Sequence, residues 1–417
     1  MSFTIDRSDT EPIRLTLVNE PFAGTIAIEK TGLRFTGVVE SQSEYGTIFT
    51  PVFEERPLGG VEFEIRAAED IEAGGIVVLA KDEVAEVLTT SADGLAESGP
   101  LYPGNYYLKE VAAPEGTVIS RETIPVSVVN DGGTPIVRIT VEVGNDFATT
   151  RLTLHKLAEE IGQAAEEENG SLTRQFETKP GEGFVFGLFA DEALEGEEGE
   201  IPEGSLVAVA ETDAEGKWLV EMRLPMGKYY VQELACPEGY ERSEMQYALE
   251  IAGEGADERG MIVMDVCEEP IVNHLVTYPV TITKSDLTSG EPLPGAVIEI
   301  RDEAGEIVYR GTTDENGRME NIELIPGTYT FTEISAPKGY ERSEETITFT
   351  LQEDGEITGE TEMKDKRIPE EPGNPDVPAT GDGRIDMLSV FGVILLVAAG
   401  GMLLVIEVKK RIQRKER

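Results

Sequence analysis

The sequence predicts an all-β chain, a series of tandem antiparallel β-sandwiches followed by a C-terminal transmembrane helix, and three observations predict it. A strand-and-turn cassette occurs three times, as GNYYLKEVAAPEG at 104–116, GKYYVQELACPEGY at 227–240 and GTYTFTEISAPKGY at 327–340. Each copy alternates aromatic or apolar residues with polar ones, the period of two of a half-buried strand, and stops at a Pro-x-Gly turn. Further short runs of this kind, bounded by Gly, Pro and Asp, fill most of the chain with almost no sustained 3.6-residue pattern. Finally, residues 387–406 carry no charge, and at helical rise such a stretch spans about 30 Å, the thickness of a bilayer core.

Taken in order, the start MSFTIDRSDTEPIRLTLVNEP lacks the basic and apolar regions of a signal peptide. Residues 13–19 read instead as an alternating strand ending in Asn19, so 1–19 is expected to be the last strand of a truncated preceding repeat. Repeat 1 spans 20–145. It opens with GTIAIEK, carries an insert at 31–57 with a hairpin signature (VVESQSEYGTIFTPVF), and resumes with Val61, Phe63 and Ile65 on one strand face. Repeat 2 spans 146–273, opening with RLTLHK, passing through a more acidic insert expected to be looped, and resuming at GEGFVFGLFAD. Repeat 3, 274–367, is compact: YPVTITK is followed eleven residues after Lys284 by GAVIEIRDEAG. A turn of one kind, SADG, DAEG or DENG, ending in Gly94, Gly216 or Gly317, precedes each cassette. Residues 368–386, rich in Pro and Gly, read as an extended linker. After the apolar span comes a basic tail, 407–417, with Lys409, Lys410, Arg411, Arg414, Lys415 and Arg417. The positive-inside rule puts that tail in the cytoplasm and the acidic repeats outside the cell.

Charge excludes whole classes of partner. With 81 acids against 35 bases and a net charge of -46, the exterior repels nucleic acid and anionic membrane surfaces. No D-x-D-x-D-G loop is present, so a calcium site is not expected, and no cofactor is implied. Cys236 and Cys267 do not make a disulfide framework; both fall in repeat 2, where a bridge is open but two incidental thiols fit better. His155 and His274 assemble neither a metal-ligand spacing nor a Ser/His/Asp set.

Each cassette fixes one acid in its strand, Glu110, Glu233 or Glu333. The alternation points it inward, where a carboxylate is costly unless paired or protonated. Partners recur in the same register: Lys30, Lys156 and Lys284 near the start of each repeat, and Asn145, Asn273 and Asp365 near its end. Asn19 to Lys30, Asn145 to Lys156 and Asn273 to Lys284 are each eleven residues apart.

Two resemblances follow. Val377-Pro378-Ala379-Thr380-Gly381, then the apolar span and the basic tail, resembles an LPxTG-type cell-wall sorting signal of Gram-positive bacteria, with Val377 in place of the usual Leu. That resemblance implies a sortase transpeptidase that cuts between Thr380 and Gly381 and joins Thr380 to a peptidoglycan amine; a permanently spanning helix is the plain alternative. The repeats resemble the Cna B-type (SpaA-like, prealbumin-like) domains of Gram-positive adhesins and pilins over nearly all of 20–367. Members carry an intramolecular isopeptide bond between a first-strand Lys and a last-strand Asn or Asp, helped by the Glu of an E-x-x-A-P-x-G-Y cassette. The resemblance therefore implies triads Lys30/Glu110/Asn145, Lys156/Glu233/Asn273 and Lys284/Glu333/Asp365. Cys236 replaces the cassette Ala in repeat 2, Thr117 replaces the Tyr in repeat 1, and Asp365 sits in a charged run, MKDKR.

The residue types suit the chemistry. Full burial lowers a lysine pKa from about 10.4 by roughly 3 to 5 units and raises that of a Glu, so the pair can exist as neutral amine and neutral acid. Glu then polarises the side-chain carbonyl and shuttles protons as the amine attacks, with ammonia leaving from Asn and water from Asp. Without condensation each triad is an ordinary buried ion pair. The expected function is a non-enzymatic, sortase-anchored stalk at the surface of a Gram-positive cell. A sortase-polymerised pilin subunit is the alternative, disfavoured because Val280 follows Tyr278-Pro279 where a YPK-like motif has lysine. The other readings are an adhesin that binds matrix protein or glycan directly, and the stalk of a surface enzyme. Trp218, the only tryptophan, reads as core rather than as a ligand platform.

Overall fold

The computed structural model describes residues 22–129, 136–168, 170–253, 256–257 and 259–369. The expected strand at 13–19, most of the linker, the sorting motif Val377–Gly381 and the apolar span 387–406 lie outside the described residues, within which no helix is long and apolar enough to cross a membrane. The described chain is all β.

One frame is built three times. A strand carrying the lysine (Ala23–Ser43, Thr149–Glu166 or Tyr278–Asp286) pairs antiparallel with the strand that follows the Gly94, Gly216 or Gly317 turn, and parallel with the strand that closes the repeat. The facing sheet shares four strands in a fixed order, to which repeat 3 adds Ile357–Gly359 at its far edge. An edge strand (Val84–Thr89, Leu206–Glu211 or Ile307–Thr312) lies beside a second strand (Glu62–Ala67, Val185–Ala190 or Val297–Arg301), then the cassette strand (Gly104–Ala112, Gly227–Ala235 or Gly327–Ser335), then the next strand in sequence. The sandwiches were expected to be antiparallel. Among the described residues that holds except where the closing strands run parallel to the lysine strands, and at a parallel bridge between Leu206 and Ile48. A closing strand returning to the outer side of the first strand needs a crossover, and strand periodicity carries no record of it.

Alternation fills the space between the sheets. In repeat 1, Ile26 and Ile28 meet Phe63, Ile65, Tyr106, Leu108, Val126 and Val128. Repeat 2 packs Leu152, Leu154, Phe186, Leu188, Val231 and a fully buried Trp218, whose indole N–H donates to the Phe186 carbonyl. Repeat 3 uses Val280, Ile282, Ile298, Ile300, Phe331 and Phe349 in the same places. The first cassette tyrosine is buried in every copy, and its hydroxyl donates to the carbonyl four residues back: Tyr106 to Tyr102, Tyr229 to Pro225, Tyr329 to Ile325, at 2.7–2.8 Å. Buried phenols need such a partner.

The insert of repeat 2 is a hairpin rather than a loop. The lysine strand runs on to Glu166 and pairs with Leu172–Pro180, much as Ala23–Ser43 runs on to pair with Gly46–Pro57. Acidic side chains are tolerated here because both faces of the projecting ribbon are largely wet. Each arm reaches the edge strand of the next repeat: Ile48 pairs with Leu206, and Leu172 and Thr173 pair with Arg310 and Tyr309. A hydrogen-bonded sheet thus passes from one repeat into the next.

The turn glycines are required by a close approach. Gly94, Gly216 and Gly317 have φ of +73°, +73° and +68°, and a Cβ there would lie 2.2, 2.2 and 2.5 Å from the carbonyl oxygens of Lys30, Lys156 and Lys284. Gly204, at φ +75°, has nothing within 4 Å of the same point. Gly204→Ala is therefore expected to cost only about 1 kcal/mol of backbone strain. Gly216→Ala adds a clash with main chain and is expected to cost roughly 3 kcal/mol or more. Urea-unfolding midpoints of the two variants check the difference, and equal losses would contradict it.

Candidate functional site

Each lysine sits where its strand changes partners. Residues 27–29, 150–155 and 278–283 pair with the post-turn strand, whereas from 31 and 157 onward the first two lysine strands pair with their arms. The lysine main chain bridges the two regimes. Its N–H donates to the carbonyl of Gly94, Gly216 or Gly317 at 2.6–2.7 Å, and its C=O accepts from the N–H of Leu58, Gly181 or Leu293 at 2.9 Å. A buried threonine four residues before the turn glycine locks the same corner. Thr90, Thr212 and Thr313 donate to the carbonyls of Leu58, Gly181 and Leu293 and accept from the N–H of Val61, Phe184 and Ala296.

The parallel register then sets the third residue. Lys30, Lys156 and Lys284 have Val143, Ile271 and Met363 as Cα partners, and Asn145, Asn273 and Asp365 stand two residues beyond those partners. A step of two in a strand restores the same face, so lysine and amide, or lysine and acid, both point inward. The glutamate arrives from the opposite sheet. Glu110, Glu233 and Glu333 pair with Phe63, Phe186 and Ile298, and in every copy the register slips beside the glutamate, skipping Val111, Leu234 or Ile334. Such a bulge re-aims the neighbouring side chain. All nine expected residues are buried, none more than 8% exposed.

The three sites differ in detail. In repeat 1 the Lys30 ammonium nitrogen donates to the Thr31 carbonyl at 2.7 Å and to the Val143 carbonyl at 3.3 Å, while Asn145 Nδ2 donates to Glu110. In repeat 2 Lys156 Nζ donates to the Leu157 and Ile271 carbonyls at 2.5 and 3.1 Å and lies 4.2 Å from the centre of the Phe184 ring. There Asn273 Nδ2 donates to Glu233 at 2.7 Å and to the Glu241 carbonyl at 2.8 Å. In repeat 3 Lys284 Nζ contacts Asp365 directly and lies 3.2 Å from Glu333 Oε1. The Asn145 and Asn273 carbonyl oxygens and Asp365 Oδ2 are buried without a hydrogen-bond partner. A group of that kind is an unmet demand, and here it belongs to the carbonyl an amine would attack.

Burial pushes Lys30 and Lys156 down to about 8 from 10.5, against the opposing pull of Glu110 and Glu233. Burial likewise raises Glu110, Glu233 and Glu333 above the ordinary carboxylate range. Both shifts favour neutral amine beside neutral acid, the state in which nitrogen is nucleophilic and the acid can protonate a carbonyl or a leaving group.

The glutamates have a further partner that spacing alone did not single out. The main-chain N–H of Ser343 donates to Glu333 Oε2 at 2.7 Å, and Ser120 and Ser243 face Glu110 and Glu233 from the same position, though Oε2 of each stays short of a full hydrogen bond. A serine ten residues after the cassette glutamate in all three copies was legible in the sequence, as was the threonine four before each turn glycine. The half-buried Cys236 and Cys267 are free thiols, and Cys236 Sγ donates to the Tyr240 carbonyl.

Three sandwiches, each with a buried lysine, glutamate and amide or acid at one register, define a tandem prealbumin-type repeat protein. The chain belongs to the SpaA family of prealbumin-like fold domains, which it matches over residues 53–143, 175–262 and 278–367. In repeats 1 and 2 the match starts inside the arm, beyond the lysine. Serine-aspartate repeat-containing protein D of Staphylococcus aureus is 26% identical over 284 residues, covering 64% of this chain and 20% of that protein. The trypsin-resistant surface T6 protein of Streptococcus pyogenes is 34% identical over 74 residues, 18% of this chain and 14% of that protein. Among solved structures the Bacillus anthracis TIE protein aligns with a TM-score of 0.51 and 25% identity, over 83% of this chain and 51% of that one. The chain therefore spans about a fifth of the staphylococcal relative and about half of the TIE protein. It is homologous to proteins of Gram-positive bacteria, one of them named for its place at the surface.

The lowered lysines give the site a pH signature. In a chain with Asn273→Ala, which cannot condense in repeat 2, the cost of burying Lys156 is fully present below about pH 8 and is relieved as pH rises from there toward 10.5. Stability of that variant is expected to climb across this window relative to the Asn273→Ala/Lys156→Met double variant, read from urea midpoints. Parallel pH profiles for the two would contradict the assignment.

Proposed function

We propose that the chain is a sortase-anchored stalk, a row of sandwiches each stapled by a lysine–asparagine or lysine–aspartate isopeptide bond, held at the wall of a Gram-positive cell. The observation that carries this reading is the threefold recurrence of one buried geometry. The lysine faces a side-chain carbonyl two residues beyond its Cα partner, and a glutamate with a raised pKa reaches across from the other sheet. In repeats 1 and 2 the lysine nitrogen is hydrogen-bonded to main-chain carbonyls rather than ion-paired, and burial lowers its pKa to about 8, which brings the neutral amine within reach.

The bond Lys Nζ–Cγ forms as the neutral amine attacks the amide or acid carbon. The glutamate supplies a proton to the carbonyl oxygen and then to the leaving group, and takes back one proton from the attacking amine and one from that oxygen as the tetrahedral intermediate collapses. Ammonia departs from Asn145 and Asn273, water from Asp365, and the glutamate ends as it began. Each reaction happens once per repeat and consumes its own residues, so the chain is a substrate of its fold rather than a turnover enzyme. By analogy with other covalent staples, closing a loop of about 100 residues removes roughly 4 to 5 kcal/mol of unfolded-state freedom. Because lysine and closing strands are parallel neighbours, the staple lies across the path by which a pulling force would otherwise unzip the repeat.

Anchoring is the part of the proposal that rests on sequence: Val377–Gly381, the apolar span and the basic tail, with sortase and a peptidoglycan amine as partners. A directly ligand-binding adhesin is less well supported, since Trp218 is wholly buried.

Intact mass of the purified chain tests the bonds. A deficit of two ammonias and one water is expected, and Glu110→Gln, Glu233→Gln and Glu333→Gln are each expected to restore one loss. Chain isolated in acid denaturant before it has folded, then refolded with its mass followed against time, adds the rate for repeats 1 and 2, expected to rise with pH through about 8 as Lys30 and Lys156 become neutral. An unmodified mass at every pH would leave the triads as uncondensed buried polar clusters and overturn the staple.

A further inference from the structure

We propose that the sheet edge of repeat 1 that carries no pairing partner among the described residues, together with the turn at Gly74–Val78, is a seat for the hairpin arm of another prealbumin-like repeat. The joints inside this chain define what such a seat looks like. At the first joint, Ile48 of the arm pairs with Leu206 on the edge strand of repeat 2, and Phe35, Val38 and Phe49 pack against that repeat's core. The small hairpin Leu194–Glu195/Glu200–Ile201 completes the seat with its turn. The N–H of Glu198 donates to the Thr36 carbonyl at 2.6 Å, and the side chains of Glu197 and Glu198 meet Arg34 and Arg56 at 2.8 and 3.0 Å. At the second joint Leu172 pairs with Arg310, and Asp302, in the corresponding turn, meets Arg174 at 2.6 Å. An edge strand and the turn after the second strand therefore receive an arm twice.

Repeat 1 has both parts and, among the described residues, no arm. Val84–Thr89 ends its sheet, with Glu62–Ala67 on its inner side. By their pairing to the second strand, Val84 corresponds to Leu206, and Val87 to Arg310. Val87 is 54% exposed. The small hairpin Ile71–Ala73/Ile76–Leu79 corresponds to that of repeat 2, and Gly74 and Gly75 stand where Glu197 and Glu198 bind arginines. Beyond them Ile76, Val77 and Val78 are 70%, 48% and 42% exposed, three consecutive apolar residues on a tip whose counterpart in repeat 2 is charged. A bare edge strand is an invitation to pair that proteins usually blunt with charge, and exposed apolar residues grouped beside it mark an interaction surface. The substitution of Gly-Gly-Ile-Val-Val for a charged turn also says what the occupant carries: an arm with apolar residues at the positions of Arg34 and Arg56. A second copy of this chain fits less well, since both of its arms are already seated on its own edges.

The test uses the full chain and a head-to-tail cyclised hairpin peptide of residues 33–56 with Arg34→Leu and Arg56→Leu. The peptide is expected to slow amide exchange at 84–89 at least tenfold at saturation. Val87→Lys and Ile76→Asp, both at exposed positions and so expected to leave the melting temperature unchanged, should each weaken binding about tenfold, and restoring both arginines to the peptide should also weaken it. Protection confined to the strand around Leu206, or no protection at millimolar peptide, overturns the proposal. Concentration-dependent dimerisation of the chain alone, abolished by Val87→Lys, overturns it in favour of a second copy as the occupant.

Discussion

A lysine nitrogen held between two sheets, out of reach of water, is the constraint on which the rest of this structure depends. The aliphatic stem is welcome there; the ammonium is not, and each repeat meets the demand by positioning polar atoms around it. Parallel pairing brings the closing strand alongside so that an amide or acid faces the nitrogen. A bulge turns the cassette glutamate inward from the other sheet, and a main-chain N–H from the serine ten residues on approaches that glutamate. The lysine main chain is pinned from both sides by the turn glycine and by the entry to the second strand.

The same corner explains how the repeats are joined. Because the lysine marks the point at which its strand changes neighbours, the strand can continue beyond the sandwich without disturbing the core, and in repeats 1 and 2 it does so as a long hairpin. An arm growing from the lysine strand inherits a fixed direction, and that direction delivers it to the next edge. The two joints are chemically different, one apolar with arginine–glutamate contacts at its rim and one resting on the Arg174–Asp302 pair. Both hide an edge that would otherwise be free to pair elsewhere. In repeat 3 the lysine strand stops at Asp286, whose carboxylate accepts from the N–H groups of Thr288 and Ser289, and no arm is built.

Much of this was legible before any coordinates. Alternation identified the strands and placed Val61, Phe63 and Ile65 on one face, which the structure buries, and the Asn-to-Lys spacing marked the ends of the repeats. The cassette supplied the inward glutamates, so all nine triad residues were named from register alone and all nine are buried. Asp365, doubtful in its charged run, follows the same rule, with Lys364 and Lys366 facing water on either side. The acidic insert of repeat 2 was misread as a loop because a wet two-stranded ribbon has no buried face, and without one the period-two signal disappears.

Local pattern and repetition determined which residues point inward, because side-chain direction in a strand follows from the dihedrals of the residue itself and its neighbours. The tertiary structure decided which strands became partners. Whether a closing strand runs parallel to the first, where a bulge slips the register beside a glutamate, and which edge an arm finds all depend on hydrogen bonds between segments far apart in the chain. The backbone groups that make those bonds are the same in every residue, so the sequence does not spell out their pairing, and only the packed sandwiches select it.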